Sequence, residues 1–179
     1  MNCPSCKSKH TFKPIKLNGS LPARECPECK GILIDLLSYR AWREKWQDIE
    51  ESIDPVVSEV ANSSSALLCP KCSRVMLKYR IGSKSRNTVD VCSNCDDAWL
   101  DNGEWELLGA LALQSKLTNI FTEPWQQRIK AEQIENQQYE RDAALIGSEE
   151  MTKIEELISW LDGHPKRQEL LRILRKNLC

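Results

Sequence analysis

Long apolar runs are missing from this 179-residue sequence, and histidine is scarce, with only two residues. A membrane-spanning helix needs about 20 consecutive apolar residues, so we expect neither such a helix nor a membrane partner. No apolar core of a signal peptide precedes the first cysteine motif. These absences predict a cytoplasmic protein, in which cysteines more often bind metal or take part in catalysis than form disulfides. A secreted domain held by disulfides is the alternative.

The scarcity of histidine also limits catalysis. His10 lies four residues past Cys6 and is expected on the surface of a hairpin, and His164 is expected where a helix begins. The sequence supports no Ser/His/Asp or Cys/His pairing, although such partners need only be near in space. We therefore predict that the protein is not an enzyme, and we assign no catalytic residue.

Cysteine, by contrast, is abundant, and eight of the nine residues form an internal repeat. Both copies read C-x2-C-x19-C-x2-C, and this constant offset along the chain indicates a duplicated unit. The predicted metal ligands are Cys3, Cys6, Cys26 and Cys29 in the first copy and Cys69, Cys72, Cys92 and Cys95 in the second. Cys179 remains as a free thiol.

This spacing predicts two structural zinc ions per chain. Zinc binds four ligands tetrahedrally, and a pair of C-x2-C turns, or knuckles, completes the tetrahedron without leaving the open position of a catalytic zinc. A rubredoxin-like iron centre is the alternative, since four cysteines also bind iron. Rubredoxin knuckles typically carry glycine after the second cysteine, whereas this chain has Lys7, Lys30, Ser73 and Asp96 there.

The residues between the knuckles predict one β-hairpin per copy. In the first copy, strands over residues 11–17 and 21–26 flank an Asn-Gly turn. In the second, strands over residues 75–81 and 88–92 flank a looser turn. About 30 residues bury too little apolar surface to fold alone, so the metal must supply much of the stability.

A helix is predicted after each hairpin. Asp35 is the expected cap of a helix over residues 36–51, with Leu36, Tyr39, Trp42 or Arg43, and Trp46 on one face. Asp101 and Glu104 have the form of a capping box for a helix over residues 102–115.

The predicted fold is therefore a small metal-bound β/α protein, with two tandem zinc ribbons that are each followed by a helix, and a C-terminal helical region. The predicted segments are 1–51 for the first ribbon and helix, 52–66 for a linker, 67–117 for the second ribbon and helix, and 118–179 for the helical region. In that region we expect helices from Pro124 to Ile146, from about 151 to 161, and over the leucine stripe that begins at Leu170. Whether the two ribbons pack together stays open.

Each copy has a characteristic segment that begins with its second knuckle. The two segments are Cys-Pro-Glu-Cys-Lys-Gly-Ile-Leu-Ile-Asp at 26–35 and Cys-Ser-Asn-Cys-Asp-Asp-Ala-Trp-Leu-Asp at 92–101. Both resemble the transcription factor zinc-finger family. This family is named for its likeness to the N-terminal ribbon of transcription factor IIB, and the resemblance covers residues 1–46 and 67–112. It implies zinc at the eight matching cysteines and no defined activity. Ser38 replaces the usual glutamate in the first copy, and Asp96-Asp97 replaces Gly-Gly in the second.

Charge is segregated along the chain, although the net charge is only −1. Residues 1–30 and 69–95 carry net charges of +4 and +5, whereas residues 31–68 and 96–179 carry −4 and −6. The basic residues of the two hairpin segments are Lys7, Lys9, Lys13, Lys16 and Arg24 in the first, and Lys71, Arg74, Lys78, Arg80, Lys84 and Arg86 in the second.

This pattern supports two hypotheses. In the favoured one, the ribbons are rigid modules of a protein-interaction adaptor, and the helical regions bind a protein partner or a second copy. In the other, the basic hairpins bind DNA or RNA phosphates. The ribbons carry few aromatic residues for base stacking, which weakens the second hypothesis. An iron redox carrier is a remote third possibility.

Overall fold

The computed structural model describes residues 1–45, 60 and 62–178. The chain divides into two compact units, Met1–Ala131 and Glu132–Cys179. The first unit holds an antiparallel sheet with both four-cysteine groups, and the other described elements are helices. This confirms the predicted fold class. Among the described residues, no helix is long and apolar enough to span a bilayer.

Six strands form one sheet in the order β1-β2-β3-β6-β5-β4. The strands are β1 (Lys13–Leu17), β2 (Leu21–Glu25), β3 (Ile32–Asp35), β4 (Leu77–Arg80), β5 (Thr88–Cys92) and β6 (Asp97–Leu100). The two predicted hairpins are β1–β2 and β4–β5. The central strands β3 and β6 were not predicted, because each is only four residues long and mostly buried on both faces, so neither shows the apolar–polar alternation of a half-exposed strand.

The two ribbons join through β3 and β6, which answers the question that the sequence left open. These strands pair antiparallel, and Leu33 lies opposite Trp99, its own counterpart in the second repeat. On either side, Ile34 pairs with Ala98 and Ile32 with Leu100. The repeats are therefore related by an approximate two-fold axis that passes between Leu33 and Trp99. This is the self-complementary arrangement of a symmetric dimer, here within one chain.

One face of the sheet is covered by short helices. Helix α1 (Leu36–Lys45) begins after Asp35, whose Oδ1 accepts the backbone N–H of Ser38 over 2.8 Å and so forms the predicted cap. Tyr39 and Trp42 are buried as expected. The part of the predicted helix beyond residue 45, including Trp46, lies outside the described residues, as do positions 52–59 and 61 of the predicted linker.

Helix α2 (Glu104–Ala110) is shorter than the predicted helix over residues 102–115. The chain leaves the helix where Ala112 adopts a left-handed backbone with φ of 52°. The N–H of Leu113 then reaches back to the carbonyl of Leu108 over 2.7 Å, which is the pattern of a Schellman-type helix end. A 3₁₀ turn (Gln114–Lys116) and helix α3 (Leu117–Ile120) follow.

A contiguous core lies between this sheet face and the helices. This core contains Ile34, Ala98 and Leu100 of the central strands and Tyr39 of α1, all of which are fully buried. The Tyr39 hydroxyl accepts the N–H of Leu117 over 3.0 Å, so α3 is tied to α1. The opposite sheet face carries the knuckles.

The remaining helices are α4 (Glu123–Ile146), α5 (Ser148–Asp162) and α6 (Arg167–Leu178), close to the three predicted ones. At the start of α4, the side-chain amide of Gln126 accepts the N–H of Arg80 over 3.1 Å and donates to its carbonyl over 2.9 Å. Gln126 thereby occupies the free edge of β4. In the second unit, Leu161 is the only buried side chain among residues 132–177.

Candidate metal centres

The eight repeat cysteines gather into two groups of four. Cys3, Cys6, Cys26 and Cys29 form the first group, and Cys69, Cys72, Cys92 and Cys95 form the second. Within each group, the four sulfur atoms lie within 4.8 Å of one another. Two cysteines of each group are buried and two are half-buried. The structure therefore brings together each set of predicted ligands, while Cys179 lies outside the described residues.

Each cysteine pair sits on a tight turn that ends in a left-handed residue. The φ angle is 60° at Lys7, 62° at Lys30, 60° at Ser73 and 54° at Asp96. In every turn, the N–H of this residue donates to the carbonyl of the first cysteine over 2.9 to 3.1 Å. These are the positions at which rubredoxin-type knuckles carry glycine. Non-glycine residues adopt this conformation at a cost of about 1–2 kcal/mol, which the rest of the fold must offset.

The distances between the sulfur atoms test whether zinc fits. Sulfurs at about 2.3 Å from a tetrahedral zinc ion lie about 3.8 Å apart. The close pairs are Cys3–Cys29 at 3.4 Å, Cys6–Cys26 at 3.8 Å and Cys72–Cys92 at 3.6 Å. Each group can therefore hold one metal ion with little rearrangement, and a soft four-sulfur donor set suits zinc or iron.

The protein environment shifts the pKa values of individual thiols in different directions. Burial raises the pKa of Cys3, and it raises the pKa of Cys69 to about 12. The backbone N–H of Arg74 instead lowers the pKa of Cys72 to about 7. Because a metal ion binds thiolates, loading must displace protons from the buried cysteines, so affinity falls as the pH falls.

The first knuckle contacts the second ribbon, which sequence reasoning missed. The Ser5 hydroxyl donates to Oδ1 of Asp101, and the Trp99 indole N–H lies 3.0 Å from both of these oxygen atoms. Oδ2 of Asp101 accepts the backbone N–H of Ser63 over 2.8 Å. The carboxylate of Asp101 therefore links the ribbons, and nothing in the local sequence around Ser5 indicates this contact.

Only half of the predicted capping box forms. Oε2 of Glu104 accepts the backbone N–H of Asp101 over 2.8 Å, as a capping box requires. The Asp101 carboxylate does not cap α2, because its oxygens are engaged by the contacts between the ribbons. Glu104 is fully buried, and Nδ2 of Asn87 donates to its other oxygen over 3.1 Å.

Two of the six basic residues of the second hairpin are engaged in ion pairs. Nζ of Lys71 lies 2.7 Å from Oδ1 of the buried Asp97, and Nζ of Lys78 lies 2.8 Å from Oδ2 of the buried Asp90. Burial raises the pKa of Asp90 to about 6, although the Lys78 ammonium opposes this shift. These pairs leave Arg74, Arg80, Lys84 and Arg86 exposed.

The first hairpin has a different electrostatic character. Lys7, Lys9, Lys13, Lys16 and Arg24 are exposed, and none forms an ion pair with another described residue. This ribbon therefore presents the more available positive charge.

Neither histidine joins the cysteine groups. Nε2 of His10 lies 2.8 Å from Oε2 of Glu28, at the half-exposed surface of the first ribbon. His164 lies between α5 and α6, where its Nδ1 accepts the backbone N–H of Lys166 over 3.1 Å. Neither histidine is therefore placed as a metal ligand among the described residues.

Comparison with known proteins identifies part of the chain. The family model described as transcription factor zinc-finger matches residues 2–45, which span the first ribbon and α1. The second ribbon lies outside this match but has the same cysteine spacing and its own four-cysteine group. Comparisons with curated proteins and with solved structures give no match. The first ribbon of this chain is thus similar to the transcription factor zinc-finger family over residues 2–45.

Proposed function

We propose that this protein is a non-enzymatic interaction adaptor that binds two structural zinc ions. The observation that carries the proposal is the closed donor set, because each site already supplies four sulfurs and a catalytic zinc needs a free position. The family match of the first ribbon favours zinc over iron. Structural zinc of this kind is worth about 10–16 kcal/mol in small peptides, enough to hold ribbons of this size folded.

Exposed apolar side chains in the second unit support a protein partner. The large ones exposed there are Ile134, Tyr139, Leu145, Ile146, Ile154, Leu157, Ile158, Trp160 and Ile173. Soluble proteins rarely expose many large apolar groups together unless these groups bind something. A protein partner or a second copy of the chain is the expected occupant.

Nucleic acid is the second candidate, and it is favoured by the cations of the first hairpin, which form no ion pair with another described residue. Phosphate binding requires available Lys and Arg side chains. In the second hairpin, Lys71 and Lys78 already pair with buried aspartates. If DNA or RNA binds, we therefore expect the first ribbon to make the main contact.

The metal assignment is tested by elemental analysis of protein purified without added metal. We expect two zinc ions per chain and a colourless protein. A ratio near one, or substantial iron with the absorbance of iron–thiolate, would contradict it.

The adaptor assignment is tested by pull-down from the native host with the full chain and with residues 1–131 alone. This truncation keeps Leu117, Ile120 and Ile129, which are buried in the first unit, whereas a cut at the predicted boundary near 118 would remove part of its core. We expect the truncation to lose a protein partner. A parallel salt titration with random DNA and RNA measures the second candidate, for which log affinity must fall steeply with log salt.

A further inference from the structure

The helical hairpin formed by α5 and α6 has almost no core of its own. The two helices are joined by a short turn and contact each other. Leu161 is the one buried side chain among residues 132–177, and the other large apolar side chains of the two helices are exposed or half-buried there. Chain segments this small rarely bury enough apolar surface to be stable alone, and association is a common remedy. A second surface packed against the hairpin would supply the missing core.

Apolar stripes run along both helices of the hairpin. Ile154, Ile158 and Leu161 follow one another at intervals of four and three residues, so they lie on one face of α5. Ile154 is 41% exposed and Ile158 is 51% exposed, although Leu161 on the same face is buried. On α6, Leu170 and Leu174 share a face in the same way and are half-buried. This is the apolar surface that amphipathic helices cover by packing against other helices.

The two helices carry opposite charge. Helix α5 has five acidic residues and one lysine, and α6 has four basic residues and one glutamate. Within the hairpin, Lys153 pairs with Glu149 and Arg167 pairs with Asp162. The other residues of the majority charge are exposed and form no ion pair with another described residue; they are Glu150, Glu155 and Glu156 on α5, and Arg172, Arg175 and Lys176 on α6.

We propose that this hairpin binds the hairpin of a second copy of the chain, with α5 of each copy against α6 of the other. The inference rests on the proposed interaction function and names the partner. A two-fold axis that runs along the hairpins places each acidic helix beside the basic helix of the other copy and closes the apolar stripes into a four-helix core. A different protein would have to carry an acidic helix face, a basic helix face and an apolar stripe in matching order, whereas a second copy has all three.

Glu155 and Arg175 are the charged pair that this arrangement brings together. Glu155 lies three residues before Ile158, so it borders the stripe of α5, and Arg175 lies four residues after Leu171, so it borders the stripe of α6. Glu155 is seven residues from the end of α5 at the turn, and Arg175 is eight residues from the start of α6. The two side chains are therefore at nearly the same height along the hairpin, and the two-fold axis keeps that height between copies.

Sedimentation velocity of the purified, zinc-loaded full chain measures the association. We expect monomer at about 1 µM and dimer at about 100 µM, since hairpins of this size form interfaces at the small end of the specific range. Ile154→Ser with Ile158→Ser should raise the dissociation constant about tenfold or more, because the change removes four apolar side chains from each dimer. Trp160→Ser is the control, since Trp160 is 53% exposed on α5 but lies off the stripe, where its ring contacts His164.

Charge reversal tests which helices meet. Glu155→Lys and Arg175→Glu, made separately, should each raise the dissociation constant about fivefold, because like charges then face each other in two symmetric contacts. The double variant restores opposite charges in both contacts and should return the constant to within about twofold of the wild-type value. Glu156→Lys makes the same charge change on the face of α5 opposite to the stripe and should have little effect.

Helix content from circular dichroism and zinc content establish that each variant is folded, and the charge variants keep the test valid if the isoleucine variant loses helix. A chain that is monomeric at every concentration, an isoleucine variant that associates like Trp160→Ser, or a double charge variant no better than the single ones would overturn the inference. A monomeric chain that still captures a host protein would also overturn it and leave the adaptor function standing. A dimer that captures no host protein would contradict the adaptor function alone.

Discussion

The Trp99 indole N–H lies 3.0 Å from the Ser5 hydroxyl oxygen, so a side chain of the second ribbon directly supports the first metal knuckle. Trp99 is also fully buried and contacts Phe12 of the first ribbon, with their ring centroids 5.8 Å apart. The two metal centres are therefore coupled through shared packing, although they have no ligand in common.

Trp99→Ala should destabilise the protein by about 3–5 kcal/mol, because it removes a large buried side chain and its hydrogen bonds. It should also speed the loss of zinc from the first centre, although Trp99 is not a ligand. Thermal unfolding and zinc transfer to a colorimetric chelator measure the two effects. Trp160→Ala is the control, since Trp160 is 53% exposed and its loss should change stability by no more than about 0.5 kcal/mol. Wild-type zinc release from the Trp99 variant would show that the centres are independent.

Gly31→Ala should destabilise the fold by about 1–3 kcal/mol, because the added methyl group overlaps the Trp99 ring and forces it to shift. Gly82→Ala is the matched control, since a Cβ atom there meets nothing within 4 Å. Urea unfolding of the zinc-loaded variants gives both values. Equal stability of the two variants would mean that the ring can move at little cost.

Ala112→Gly should stabilise the protein by about 0.5–1 kcal/mol, because Ala112 ends α2 in a left-handed conformation that glycine adopts without strain. The same change at Ala41, an exposed position inside α1, should destabilise by about 1 kcal/mol. Opposite shifts in the midpoint of thermal unfolding would confirm that backbone conformation is the cause. A loss of stability at both positions would contradict it.

Glu104 should make stability fall as the pH rises. Burial raises its pKa from 4.5 to about 7, so the folded chain binds this proton more tightly than the unfolded chain does. Its contribution is fully present below pH 4.5 and is lost as the pH rises through about 7, a change of about 3 kcal/mol at most.

Glu104→Gln removes this titration and should gain stability relative to wild type between pH 5.5 and 8.5. The comparison uses urea unfolding with excess zinc at both pH values. Asp90, whose pKa is also raised, is present in both proteins, so the difference reports Glu104 together with its electrostatic interaction with Asp90. A constant gap between the two proteins across this range would show that Glu104 is ionised throughout.

The sequence predicted the parts of the fold that local chemistry determines. The cysteine spacing places both four-cysteine groups, the Asn-Gly pair at 18–19 turns the first hairpin, and Asp35 caps α1 as expected. Each of these depends on residues close together in the chain or on an invariable metal geometry.

The missed features depend on contacts between distant residues. Pairing of β3 with β6 requires two short strands from different repeats to meet, and neither has a period that marks it as a strand. Asp101 looks like a helix cap in isolation, and only the tertiary structure shows that its carboxylate serves Ser5 and Trp99. Counting charges along the sequence does not reveal the ion pairs of Lys71 and Lys78 either.

The amide of Gln126 has a consequence for the size of this sheet. By matching both backbone groups of Arg80, it blocks the end of the edge where another strand would add to β4. At the opposite edge, Pro14 of β1 has no N–H to offer an incoming strand. A duplicated ribbon that pairs edge to edge has the geometry to continue from molecule to molecule as an open fibre, and these two residues oppose the addition of a strand at either edge.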